Sequence, residues 1–191
     1  MDYLILIDKF NPLPEGYEQK LCLSEIQGRL LEAQACCQCK MMLERAKADG
    51  VDIKIISAYR TIEYQQRLWK QSVNQKMLEG YSKAQAETEV AKTLAKAGHS
   101  EHNAGLAVDF GTEYATDVED DFYKSKQAKW LCKNAKNYGY ILRYPRLKEH
   151  ITGISYEPWH YRYVGTEAAL FIKQSGLCLE EFLHFYSEKY I

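Results

Sequence analysis

Residues 100–110 read SEHNAGLAVDF, and the fold turns on how that stretch is read. Leu106 to Phe110 alternate at period two, the pattern of a half-buried strand. Gly105 lets the chain turn into it. Asp109 then falls where a buried residue should be, seven residues after His102. An unpaired carboxylate is costly to bury. Either Asp109 is a satisfied polar group in a core, or His102 and Asp109 together hold something.

Outward from that strand, the segments follow no regular βαβ order. Residues 3–7 read as a strand, followed by the Pro-rich turn NPLPEGY. Residues 28–48 have helical periodicity (Leu30, Leu31, Ala35, Met41, Met42, Leu43) and stop at Asp49-Gly50. Residues 53–57, IKIIS, form a short β-branched strand. A helix over 62–79 takes Thr61 as N-cap and Gly80 as its close. Ser82 and Gln85 make a capping box for a helix ending near Gly98. Beyond an acidic loop, the pattern predicts a helix over 124–138 closed by Gly139 and strands at 140–144 and 159–164. In the tail helix Leu179, Phe182, Leu183 and Tyr186 share a face. The expectation is a single domain over 1–191 of α+β class, its central, mainly antiparallel sheet flanked by helices.

Composition narrows the function. The chain is 46% apolar and 27% charged, with a formal net charge of −1 and no basic block, which excludes the electrostatic footprint of a nucleic-acid binder. The apolar run 3–7 is too short for a signal segment and follows Asp2, where a basic region belongs. No stretch approaches the roughly 18 to 20 apolar residues that span a bilayer. A cytoplasmic protein is expected, the alternative being an exported one trimmed to a new Met1. Six cysteines fit a reducing compartment; Cys36, Cys37 and Cys39 lie together but lack the paired C-x-x-C knuckles of a structural zinc site.

A second stretch, ISYEPWHYRYVG (154–165), sets Glu157 three residues before His160. Pro158 keeps Glu157 out of a helix interior, so the pair lies on a turn entering a strand and can face one pocket. Two histidines and two carboxylates are then available. Three of them suit zinc with one position open for water, the composition of a catalytic site, and the fourth could act as general base. His99 rivals His102 as the ligand.

SEHNAGLAVDF followed by EPWHYRYVG resembles the S-x-H-x-x-G-x-A-x-D and E-x-x-H pair of the zinc D-alanyl-D-alanine peptidases. These are the vancomycin-resistance D,D-carboxypeptidases and dipeptidases, with L,D-carboxypeptidases as close relatives. The resemblance extends to PLPEGY, SAYRTIEYQQRLW and NYGYILRYPRLKEH; the cysteine-bearing first helix and residues 75–97 match no such pattern. It implies Zn2+ on the sheet, bound by His102, Asp109 and His160, with Glu157 as catalytic base. It further implies that Arg60 steadies the oxyanion or the substrate carboxylate, and that Ser100 and Gln65 contact substrate. The activity implied is removal of the C-terminal D-Ala from peptidoglycan precursor peptides, with the dipeptide D-Ala-D-Ala as a further substrate. An L,D-carboxypeptidase acting on tetrapeptides and a non-catalytic cell-wall peptide-binding module are the alternatives.

Overall fold

The structure, a computed structural model, describes residues 2–190. Met1, on which the trimmed alternative turns, and Ile191 lie outside the described residues. Its centre is a four-stranded antiparallel sheet built from β3 (Lys54–Ser57), β4 (Ala107–Gly111), β5 (Tyr140–Leu142) and β6 (His160–Tyr163), in the order β3-β4-β6-β5. The expected α+β class is what is found.

Successive side chains of a strand point to opposite faces, and this divides the sheet chemically. Val108 and Phe110 of β4 and Tyr161 and Tyr163 of β6 enter the main core. There they meet Ala35, Cys36, Cys39 and Met42 of α1 (Ala33–Ala48) and Leu131 of α4 (Lys126–Asn134). Each large apolar side chain buried there contributes roughly 1.5–3 kcal/mol. The alternate positions, Asp109 on β4 and His160 and Arg162 on β6, are polar and equally buried. Asp109 lies directly across from His160 in the ladder. A polar face on a buried sheet demands partners, and those partners form the site.

The helix α2 (Ile62–Leu78) starts where the sequence predicts, with Thr61 accepting from the amide of Tyr64. The Ser82–Gln85 capping box opens α3 (Lys83–Val90). That helix ends eight residues before Gly98, and the chain continues as turns; the carbonyl of Lys92 accepts from the amide of Ser155. The C-terminal part comprises α5 (Glu149–Thr152), α6 (Thr166–Ser175) and α7 (Leu179–Tyr190), and Leu179 and Phe182 of α7 are buried against Ile172 and Val164. Tyr186, expected on the same inward face, is exposed.

Two further expectations fail. Residues 29–32 are not helical: β1 (Leu23–Ile26) and β2 (Arg29–Glu32) form a hairpin, and α1 begins only after it. Gln27 and Gly28 both have positive φ, 49° and 73°, which is what a tight two-residue hairpin turn requires. Residues 3–7 are no strand either. The carbonyls of Tyr3 and Ile5 accept instead from Nη2 of Arg162, at 3.0 and 2.8 Å, so a guanidinium takes the place of a neighbouring strand.

Candidate metal centre and active site

His102 lies in a 3-10 turn, Glu101–Ala104, capped by Ser100, whose hydroxyl accepts from the His102 amide, and closed by Gly105 at φ 68°. The His102 carbonyl accepts from the amide of Arg60, and its Nδ1 donates to the carbonyl of Ala58 at 2.6 Å. With Nδ1 carrying the proton, Nε2 is left with a lone pair, and it points at Oδ2 of Asp109, 3.2 Å away.

Glu157 to His160 form a β-turn, the Glu157 carbonyl accepting from the His160 amide at 3.2 Å, with Pro158 at the position where proline pre-sets φ. The turn sets both side chains on one side. Nδ1 of His160 comes within 3.0 Å of Oδ1 of Asp109 and 3.6 Å of Oε2 of Glu157.

Donor atoms of His102, Asp109 and His160 all lie within 4.8 Å of one another, and all three residues are buried. Close as they are, Asp109 Oδ1 makes no aligned hydrogen bond. A buried carboxylate oxygen facing a ring nitrogen without a proper hydrogen bond is a poor arrangement for a core and a good one for a cation. Two nitrogens and a carboxylate oxygen match the donor chemistry of zinc.

Charge follows the same geometry. Burial pushes the Glu157 carboxyl up to about 8, with the Asp109 charge adding, against the pull of His160 and Arg60. Burial alone lowers His160, but Asp109, Glu101 and Glu157 reverse this and raise it to about 9. His102 is lowered, chiefly by burial and by Arg60. Asp109 is buried too, yet the histidines hold it well below the usual carboxylate range.

Arg60 follows β3. Its Nη2 meets Asp109 Oδ2 at 2.9 Å, its Nε donates to Ser57 Oγ at 2.8 Å, and Nη1 is 3.5 Å from Gln65 Oε1. Gln65 is completely buried and donates to the carbonyl of Ala95, so its amide is engaged within the protein at both ends. Arg60, Gln65, Ser100 and Glu157 line one cleft of about 430 Å³ with the three donors. Tyr144 and Trp159 form part of its wall. All seven residues singled out from the sequence are therefore together. His99 is not: its Nδ1 bonds the carbonyl of Asp8 at 2.7 Å, in a separate cavity next door.

Sequence reasoning missed the layer behind His160. Glu101, Arg143 and Arg162 are fully buried, with Glu101 Oε1 accepting from Arg143 Nε and Arg162 Nη1, both at 2.7 Å. Arg143 also makes a two-pronged contact with Glu180 of α7, at 2.9 and 2.7 Å. Period-two placement of Arg162 after His160 was the available signal.

The model of the family described as VanY, D-alanyl-D-alanine carboxypeptidase, matches residues 28–166. A D-alanyl-D-alanine carboxypeptidase of Enterococcus faecalis is 41% identical over 182 residues, covering 95% of this chain but 65% of the relative, so the chain spans just under two thirds of that protein's length. The solved structure of a vancomycin-resistance D,D-pentapeptidase VanY mutant in complex with Zn(II) is 38% identical, with TM-score 0.85 over 96% of this chain and 99% of that one. VanYB in complex with D-alanine-D-alanine is 39% identical, with TM-score 0.86 over 95% and 97%. The sheet, the donor cluster and these likenesses agree, and the chain belongs to the VanY family of D-alanyl-D-alanine carboxypeptidases.

Proposed function

We propose that the protein is a zinc-dependent D,D-carboxypeptidase that removes the C-terminal D-Ala from peptidoglycan precursor peptides and also hydrolyses the dipeptide D-Ala-D-Ala. Residues 1–191 act as one catalytic domain in this reading. The observation that carries it is the convergence of His102, Asp109 and His160 in a cleft that also presents Glu157 and Arg60. Zn(II) in one relative and D-alanine-D-alanine in another support the same assignment.

His102 through Nε2, Asp109 through its carboxylate and His160 through Nδ1 would hold the ion. Bound there, zinc lowers the pKa of a water towards ~7 and polarises the scissile carbonyl. Glu157 takes the proton from the attacking water and passes it to the leaving amine. Such proton transfer is worth ~10²–10⁴-fold.

Arg60 offers the substrate a guanidinium fork whose Nη1 is only loosely engaged, at 3.5 Å from Gln65. It binds the terminal carboxylate or the developing oxyanion, with charge-assisted bonds that strengthen as negative charge grows. Ser57 and Asp109 hold that fork in place, and Gln65 borders its free edge. Ser100 spends its oxygen on the His102 amide and keeps its O–H for substrate. Six cysteines that all stand free support action in the cytoplasm, where thiols remain reduced. No helix among the described residues is long and apolar enough to cross a membrane.

The test is alanine release from UDP-muramyl pentapeptide, the matching tetrapeptide and D-Ala-D-Ala, with and without chelator. Chelator-sensitive release from pentapeptide and dipeptide is expected. Release from the tetrapeptide alone would make the protein an L,D-carboxypeptidase, and no release at all would leave a peptide-binding module. Glu157→Ala should keep its zinc by elemental analysis and lose at least 100-fold in turnover, about the lower bound for a general base. His160→Ala should lose zinc; unchanged metal content there would remove it from the ligand set.

A further inference from the structure

We propose that Glu101 is a positioning residue for the metal centre: its carboxylate holds the Nε2–H of His160, so that Nδ1 is the nitrogen presented to the ion. This rests on the zinc reading above and extends it to a residue that touches neither metal nor substrate.

The two ring nitrogens of His160 face different surroundings. Nδ1 looks into the cleft, towards Asp109 and Glu157. Nε2 lies 3.5 Å from Oε2 of Glu101. Both of these atoms are buried and neither makes an aligned hydrogen bond, so at 3.5 Å each is the polar group left facing the other.

Nor is Glu101 free to turn away. Its other oxygen, Oε1, is gripped by Arg143 and Arg162 at 2.7 Å each, and the side chains of all three are fully buried. Arg143 is fixed in turn by Glu180, and Arg162 by the carbonyls of Tyr3 and Ile5. The charges of Glu101, Glu180, Arg143 and Arg162 cancel. The carboxylate can thus stay ionised in a dry place, directed at one imidazole N–H. His102, by contrast, has its outer nitrogen on a backbone carbonyl, that of Ala58. A carboxylate behind a ligating histidine fixes the tautomer and ring orientation and raises the basicity of the nitrogen that binds metal.

The rival explanation is that Glu101 only neutralises two arginines and that His160 is a bystander. Zinc affinity separates the two, measured on the full chain by competition with a chromophoric chelator at one pH. Glu101→Asp keeps the charge between the arginines but draws the carboxylate back from His160. Glu101→Gln keeps the shape and loses the charge. Glu180→Gln weakens the same network without touching His160. With folding verified by circular dichroism and melting, both Glu101 variants should bind zinc about 10–100-fold more weakly than wild type, the usual cost of removing such a partner. Glu180→Gln should stay within about twofold, well short of that cost.

Wild-type affinity in the folded Glu101 variants would overturn the inference, as would an equal loss in Glu180→Gln. If the Glu101 variants do not fold, ring ¹⁵N shifts of His160 in zinc-loaded wild type decide. Metal on Nδ1 with a protonated Nε2 is expected, and the reverse assignment overturns it. Wild type that binds no zinc overturns the metal reading and this inference with it, whereas wild-type binding matched by the Glu101 variants overturns this one alone.

Discussion

His160 stands among three carboxylates, those of Asp109, Glu157 and Glu101. In the metal-free protein a proton supplies the positive charge that this arrangement demands. His160 is raised from 6.5 to about 9, and Glu157 from 4.5 to about 8. A group raised on folding contributes stability that is fully present below its unfolded pKa and is lost as pH climbs through the folded value. Both shifts act in the same direction. Chelator-treated protein should therefore melt at progressively lower temperature as pH rises from 6.5 to about 9, a slope readable by thermal melts in a buffer series. A flat or rising profile would contradict the protonated His160. Asp109, Glu157 and His160 stand out in the sequence because turn chemistry constrains them, Gly105 before the strand of Asp109 and Pro158 between Glu157 and His160, whereas the choice of His102 over His99 comes from the family resemblance. Glu101 does not stand out, because a glutamate beside a turn reads as solvated. Its burial depends on Arg143 and Arg162, 42 and 61 residues further on.

At the scale of elements, precision comes from short turns. Gly105 has φ 68°, its carbonyl accepts from the Glu32 amide at 2.9 Å, and an added Cβ would come within 3.1 Å of that same nitrogen. Gly105→Ala must bear both a left-handed backbone, ~1–2 kcal/mol, and a contact with backbone that cannot yield easily. A loss of about 2–3 kcal/mol in urea denaturation is expected, within the usual range for a strained substitution. A loss under about 0.5 kcal/mol, the level of a neutral surface change, would mean that the turn relaxes freely. The central strands and α2 are legible because their patterns are local. The β1–β2 hairpin is not: Gln27-Gly28 is an unusual hairpin turn, and Leu30, Leu31 and Ala35 fit a helical repeat equally well. Residues 91–98 carry helical composition but are held by contacts made elsewhere, such as the Ser155 amide and the Gln65 side chain.

Across the whole molecule, the sheet separates an apolar core from a face that stores charge. The donor cluster on that face is assembled only in the folded chain, so folding and metal binding are linked. A ligand held only by the folded state stabilises it by RT ln(1 + [L]/Kd), about 4 kcal/mol at a thousandfold excess over Kd. Stripping zinc should lower the melting temperature by several degrees, and re-addition should restore it; identical melts with and without chelator would contradict a structural link. The family match covers residues 28–166, yet the arginines behind His160 are anchored at Tyr3, Ile5 and Glu180, outside that span. That anchoring sets an order of events during synthesis. A chain emerges from the ribosome at roughly 5–20 residues per second, N-terminal part first. Residues 3–5 must wait for Arg162, and Arg143 for Glu180, before Glu101 is fixed in place. The nascent protein can thus carry all three donors of the cluster while the support behind His160 is still incomplete, and that support closes only once α7 has left the exit tunnel.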